Sequence, residues 1–74
     1  MEDKLREIMA DILNVAPDEI SSETSADSVA SWDSLAQINL ASAIEEEFGI
    51  SFSVQEIEAM KSYDDIVSTL SGKL

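Results

Sequence analysis

The sequence has no cysteine and no histidine, one proline, two glycines and only four basic residues among 74. Each shortage removes a class of protein. Without cysteine there is no disulfide framework, and a reducing compartment suits the chain, so the expectation is cytoplasmic. A zinc site without cysteine or histidine would be unusual, and Ser-His-Asp and Cys-His catalysis are excluded outright. Four Lys and Arg face sixteen Asp and Glu, a net charge of -12. Phosphate contacts need cations, so neither nucleic acid nor an anionic membrane surface is an expected partner. No apolar run approaches the roughly 18 residues of a membrane span. The opening "MEDKLREIMADIL" alternates charge with apolar residues, unlike a secretory signal. Carboxylate pairs could do acid-base work, and Lys61 and Lys73 could serve as bases. A chain this short rarely encloses the pocket such chemistry requires. It is expected to be a non-enzyme, with no catalytic residue and no metal.

What is there is acid, serine and helical periodicity. A strong negative field favours basic protein patches and speeds encounter with them. It also serves solubility alone, and composition does not separate the two.

Four helical signals run along the chain, and no strand signal rivals them. Leu5, Ile8, Met9, Ile12 and Leu13 recur at i, i+3, i+4, i+7 and i+8, an apolar stripe on one helix face. Glu2 and Asp3 stand in its first turn, where the helix dipole favours anions; Asn14 and Pro17 mark its end. Residues 14 to 33 then read as a long connection rich in Ser, Asp and Glu. Val15, Ile20 and Val29 can pin it to a core, and it has room for one short turn of helix. Its acids do not match an EF-hand, which needs glycine at the sharp turn.

The second helix is predicted from Ser34 to Phe48, with Gly49 as its left-handed terminator. Leu40, Ile44 and Phe48 form one line at i, i+4, i+8. At about 100° per residue, Leu35 and Ile38 fall on nearly the opposite side. Either the helix is packed all round, or its second side serves a partner. Glu45, Glu46 and Glu47 load its last turn with charge the dipole disfavours. They form either a solvated end or a recognition patch for a basic partner.

Ser53 with Glu56 has capping-box spacing, and Phe52 with Ile57 the matching hydrophobic staple. Val54, Ile57 and Met60 would be the inner face of this short third helix. Ser62 with Asp65 opens the fourth, where Tyr63, Ile66, Val67 and Leu70 repeat the stripe and Gly72 would end it. Residues 1–74 thus read as a single all-α domain. Its architecture is a four-helix bundle of three main helices and one short third helix, with a long first loop.

Ser34 is where this pattern offers chemistry. From Ser34 to Ala43 there is no charge, in a chain otherwise crowded with it. Ser34 and Gln37 have the S-x-x-Q spacing of a capping box, and Asp33 could cap in its place. A helix N-terminus also offers free N–H groups and a positive dipole end, so a phosphate ester on Ser34 would be stabilised there.

The segment "DSLAQINLASAIEEEFGISFSVQEI" resembles the second-helix region of the acyl carrier protein family. Asp33-Ser34-Leu35 matches the family's signature triplet, and "IEEEFGI" its acidic helix end. "DILNVAPDEI" and "MKSYDDIVSTL" resemble the end of its first helix and its last helix. The likeness covers nearly the whole chain in order and length. It implies that Ser34 receives 4'-phosphopantetheine from coenzyme A, transferred by a magnesium-using phosphopantetheinyl transferase. Asp33 and Leu35 would flank that site. The arm's thiol would hold an acyl or aminoacyl group as a thioester, so the chain would need no nucleophile of its own. The implied partners are an acyl-loading ligase or acyltransferase and synthase enzymes with basic docking patches. They would meet a free-standing monomer through Leu35, Ile38, Glu45 and Glu46. A small acidic helical interaction module with no prosthetic group is the alternative.

Three residues depart from the common fatty-acid carriers. Trp32 stands where a small residue is usual, and Ala36 and Asn39 where acids are frequent. Those two are expected to weaken recognition by general fatty-acid enzymes and point to a specialised carrier. Trp32 would either anchor the loop or shape the surface beside the arm.

Overall fold

The computed structural model describes residues 1–74. Four α-helices follow one another: α1 (Glu2–Leu13), α2 (Ser34–Phe48), α3 (Val54–Ala59) and α4 (Tyr63–Lys73). There is no strand; a lone bridge joins Ser25 to Ser62. The expected ends of α1 and α2 hold because their stop signals are local. Asn14 adopts the left-handed conformation (φ 58°) and its N–H donates to the Ala10 carbonyl. Gly49 does the same after α2 (φ 66°), donating to Glu45. Glycine meets that conformation without the steric cost that a side chain brings.

The apolar stripes meet in one core. Leu5, Met9 and Leu13 of α1, Leu40 and Ile44 of α2, and Ile66 and Leu70 of α4 are its fully enclosed members, joined by Met60. Phe48, on the same line as Leu40 and Ile44, is only half-buried and packs on the core's edge. Ala36 and Ala41 let α2 approach its neighbours closely, since both are buried and small. Exposure of Leu35 (67%) and Ile38 (58%) decides between the two readings of α2: its second apolar side faces solvent.

The long loop is fastened at several points. A 3-10 turn, Pro17–Glu19, occupies its start, and Ile20 is buried beyond it. Val15 and Val29 pack against the core. Thr24, the one buried polar side chain, accepts from the Ser21 N–H (2.9 Å) and donates to the Glu19 carbonyl (3.3 Å). The middle of the loop is stitched to the α3–α4 link. Ala26 N–H donates to the Lys61 carbonyl (2.8 Å), and Tyr63 N–H to the Thr24 carbonyl (2.9 Å). Ser31 Oγ then donates to the Leu13 carbonyl (2.7 Å), satisfying a group that the end of α1 leaves without a helical partner.

Two details of the short elements differ from expectation. Ser53 and Glu56 do form the reciprocal capping box at the start of α3. Val54, however, is 69% exposed and contributes nothing to an inner face. With only six residues, α3 turns one edge inward, and that edge belongs to Ile57 and the following Met60. Gly72 does not end α4, which continues to Lys73. Lys73 has a reason to stay ordered: its Nζ lies 3.0 Å from Glu56 and 5.8 Å from the centre of the Phe52 ring. That contact ties the end of α4 to the start of α3 and holds the Glu56 carboxyl below its ordinary range, after the larger effect of the Ser53 N–H. At the other end of α4, Tyr63 Oη donates to Glu2 (3.0 Å), and burial first, then this bond, pushes the phenol pKa up.

Candidate functional site

The start of α2 divides its work between neighbours. Asp33, not Ser34, is the N-cap: its Oδ1 accepts from the Ala36 N–H at 2.9 Å. Ser34 is the first helical residue, and the expected Ser34–Gln37 capping box does not form. Both Asp and Ser are good caps, and the geometry selects the residue whose backbone is still extended (Asp33, φ -103°, ψ -172°). The consequence for Ser34 is freedom. Its side chain is exposed and its hydroxyl makes no hydrogen bond, whereas the hydroxyls of Ser53 and Ser62 are occupied as caps and those of Ser28 and Ser31 by carbonyls. The N–H groups of Ser34 and Leu35 also find no acceptor in the chain.

Gln37 does something that sequence spacing did not reveal. Its Oε1 accepts from the Trp32 indole N–H, while its Nε2 donates to the carbonyls of Ile57 and Met60 (2.6 Å to the latter). One amide therefore ties the residue before the cap to the end of α3. Trp32 is a loop anchor, buried with its indole N–H satisfied, and it also lines the surface beside Ser34.

Ser34 stands on the rim of an open groove of about 570 Å³ between α2 and α3. Trp32 and Gln37 line it with Ser34, Ile38 and Ile57 supply apolar walls, and Lys61 is its one basic lining residue. Along the outer face of α2 the exposed residues are Leu35, Ile38, Asn39, Ser42, Glu46 and Glu47. The acidic end is not uniform. Glu45 is half-buried, and its Oε2 accepts from the Phe52 N–H (2.7 Å), closing the α2–α3 turn. Glu46 and Glu47 are free in solvent. Ala36 requires a correction: it is buried against the core (8% exposed) and forms no part of the outer face, unlike Asn39. Position 36 lies one residue from Leu35, and about 100° of helical rotation turns it inward. No group of three or more carboxylates is drawn together where it could hold a metal ion. No helix is long and apolar enough to cross a membrane.

Comparison with known families supplies the class. The family profile described as "phosphopantetheine attachment site" matches residues 3–70, and the chain belongs to that family. Particular relatives narrow it to acyl carrier proteins. The chain is 36% identical over 72 residues to the acyl carrier protein of Petrotoga mobilis, covering 97% of this chain and 85% of the relative. It is 33% identical over 72 residues to that of Thermosynechococcus vestitus, with 97% and 89% covered. It is 37% identical over 71 residues to that of Clostridium perfringens, with 96% and 93% covered. The chain is therefore a carrier with a phosphopantetheine arm and not an enzyme. Its family works with a phosphopantetheinyl transferase and with synthase or acyltransferase enzymes.

Proposed function

We propose that Ser34 is the residue that carries the 4'-phosphopantetheine arm, and that partners read the outer face of α2 beside it. The observation that carries this reading is the state of the Ser34 hydroxyl: exposed, unbonded and on the first turn of α2. In the attachment step the Ser34 oxygen forms a bond to the phosphorus of coenzyme A that bears the pantetheine. The pyrophosphate bond breaks, the nucleotide leaves with its electron pair, and the hydroxyl proton passes to a base of the transferase. The residues present fit the group. The free N–H groups of Ser34 and Leu35 and the positive end of the helix dipole favour a phosphodiester there. When attached, the arm supplies a thiol on which an acyl or aminoacyl group is held as a thioester.

Leu35 and Ile38 give a docking partner an apolar contact within the first turns, next to Ser34. Glu46 and Glu47, about two turns further on, suit a basic patch on a transferase, a loading ligase or acyltransferase, or a synthase. Glu45 contributes charge to that end while its side chain holds the α2–α3 turn. In this reading residues 1–74 act as one domain and as a cytoplasmic monomer. Twelve excess negative charges oppose association of two copies.

The test is incubation of the parent and of Ser34→Ala with coenzyme A and a transferase, followed by intact-mass and fragment-mass measurement. The parent gains one arm, on Ser34. The variant gains none and melts as the parent does, because Asp33 still caps the helix. A variant that still gains the arm's mass would place the site elsewhere.

A further inference from the structure

Three of the four basic residues are already engaged: Lys4 with Glu7, Arg6 with Asp3, and Lys73 with Glu56. Lys61 has no ion pair, and it is the one base on the groove that Ser34 borders. Its backbone is held firmly. The carbonyl accepts from Ala26 N–H (2.8 Å), and the N–H donates to Asp65 Oδ2 (3.2 Å) and to the Ala59 carbonyl (3.0 Å). The preceding Met60 carbonyl is bound by Gln37 of α2 itself. The Cα of Lys61 is thus fixed relative to the start of α2, and only its flexible stem is left to move.

On the reading that Ser34 carries the arm, a phosphodiester adds a further negative charge to a chain already at -12. That charge is added directly beside the Asp33 carboxylate, with Glu58 on the same groove. Like charges so close are unfavourable unless a cation intervenes. We propose that Lys61 pairs with the phosphodiester joining the arm to Ser34 and draws the root of the arm across the groove toward α3. The pairing lies at the surface and is therefore modest and sensitive to salt. Its effect is on direction: an arm paired at its root starts over the groove rather than into open solvent.

The experiment compares the parent, Lys61→Gln and Lys61→Arg, each with and without the arm, after mass mapping has confirmed one arm on Ser34. In the parent, attachment moves the side-chain NMR signals of Lys61 and leaves those of Lys4 and Lys73 in place. The phosphorus resonance of the arm differs between the parent and Lys61→Gln, and Lys61→Arg restores the parent value. At low salt, Lys61→Gln lowers the melting temperature of the armed protein by about 1–5 °C more than that of the unarmed protein. The excess fades near 1 M salt, where screening acts over about 3 Å. Equal effects on both forms, with an unmoved phosphorus signal, would overturn the pairing while leaving Ser34 as the attachment site. Loading the arm with succinyl and with butyryl groups separates a second source of anion. A Lys61 dependence seen only with succinyl would assign the cation to a cargo carboxylate and overturn the phosphodiester assignment. An arm mapped to another serine would overturn both readings.

Discussion

Replacing Gln37 with alanine removes the side chain that joins Trp32, the residue before the cap of α2, to the end of α3. Three hydrogen bonds disappear together: one from Trp32 and one each to the carbonyls of Ile57 and Met60. At about 1 kcal/mol net for each, the loss is about 3 kcal/mol. The Ile57 carbonyl keeps the Met60 N–H as a donor, so the indole N–H and the Met60 carbonyl are the groups that lose their partner. For a domain of this size the melting temperature should fall by about 10–25 °C. Thermal melts followed by circular dichroism and by Trp32 fluorescence read this directly. Gln37→Glu provides the control for shape. It keeps an acceptor for the indole but turns a carboxylate, with no proton to donate at neutral pH, toward two carbonyls. It should therefore destabilise at least as much as alanine despite its nearly identical size. If either variant melts within about 2 °C of the parent, the amide bridge is not what joins α2 to α3, and the reasoning fails.

Ile44→Ala should cost about 2–5 kcal/mol in urea unfolding, whereas Leu35→Ala and Ile38→Ala should each stay within about 0.5 kcal/mol and instead slow loading by partner enzymes. Ala36→Asp should destabilise by about 2 kcal/mol or more, since it places an unpaired carboxylate against the core, while Asn39→Glu should be nearly neutral; comparable urea midpoints for the two would contradict the assigned faces. Melting temperature should rise between low and moderate sodium chloride, because screening over about 10 Å at 0.1 M reduces the repulsion among excess acids. The raised phenol of Tyr63 makes stability pH-dependent at the alkaline end. The unfolded chain ionises first, near the ordinary value of 10.0, so the contribution is intact below that pH and is lost as pH rises through the folded value. Urea midpoints should therefore drop less steeply above that pH for Tyr63→Phe than for the parent.

The ends of α1 and α2 and the start of α3 were legible because each is announced by residues adjacent in sequence: Asn14, Gly49, and the Ser53–Glu56 pair act on their own backbone; the end of α4 was not, since Lys73 is held by Glu56 seventeen residues back. The opposition of two apolar sides on α2 was legible too, since a period of 3.6 residues sets Leu35 and Ile38 apart from Leu40 and Ile44 wherever the helix sits; that the first pair faces solvent took the packing to decide. Other features were not legible, for different reasons. Asp33 and Ser34 are both competent caps, and composition cannot choose between neighbours one residue apart. Ala36 is small enough to suit either side of a helix, so its burial depends on what lies opposite. Gln37 bonds to residues twenty and twenty-three positions away, and no local rule reaches that far. Glu45 belongs with Gln37: it looked like one of three equal acids until the turn after α2 brought the Phe52 N–H to it.

The separation of the cap, Asp33, from the serine proposed to carry the arm has a consequence for how position 34 behaves under mutation. Asp33 closes the helix whatever stands next to it, so folding places almost no demand on the residue that follows. Small polar or apolar replacements at 34 should all leave an intact bundle. A mutational survey scored by solubility or abundance would therefore rank position 34 among the most permissive in the chain, and position 33 well below it. The same survey scored by growth that depends on the carrier would reverse that order. The gap between the two scores is a signature that a serine spending itself on a helix cap could not produce.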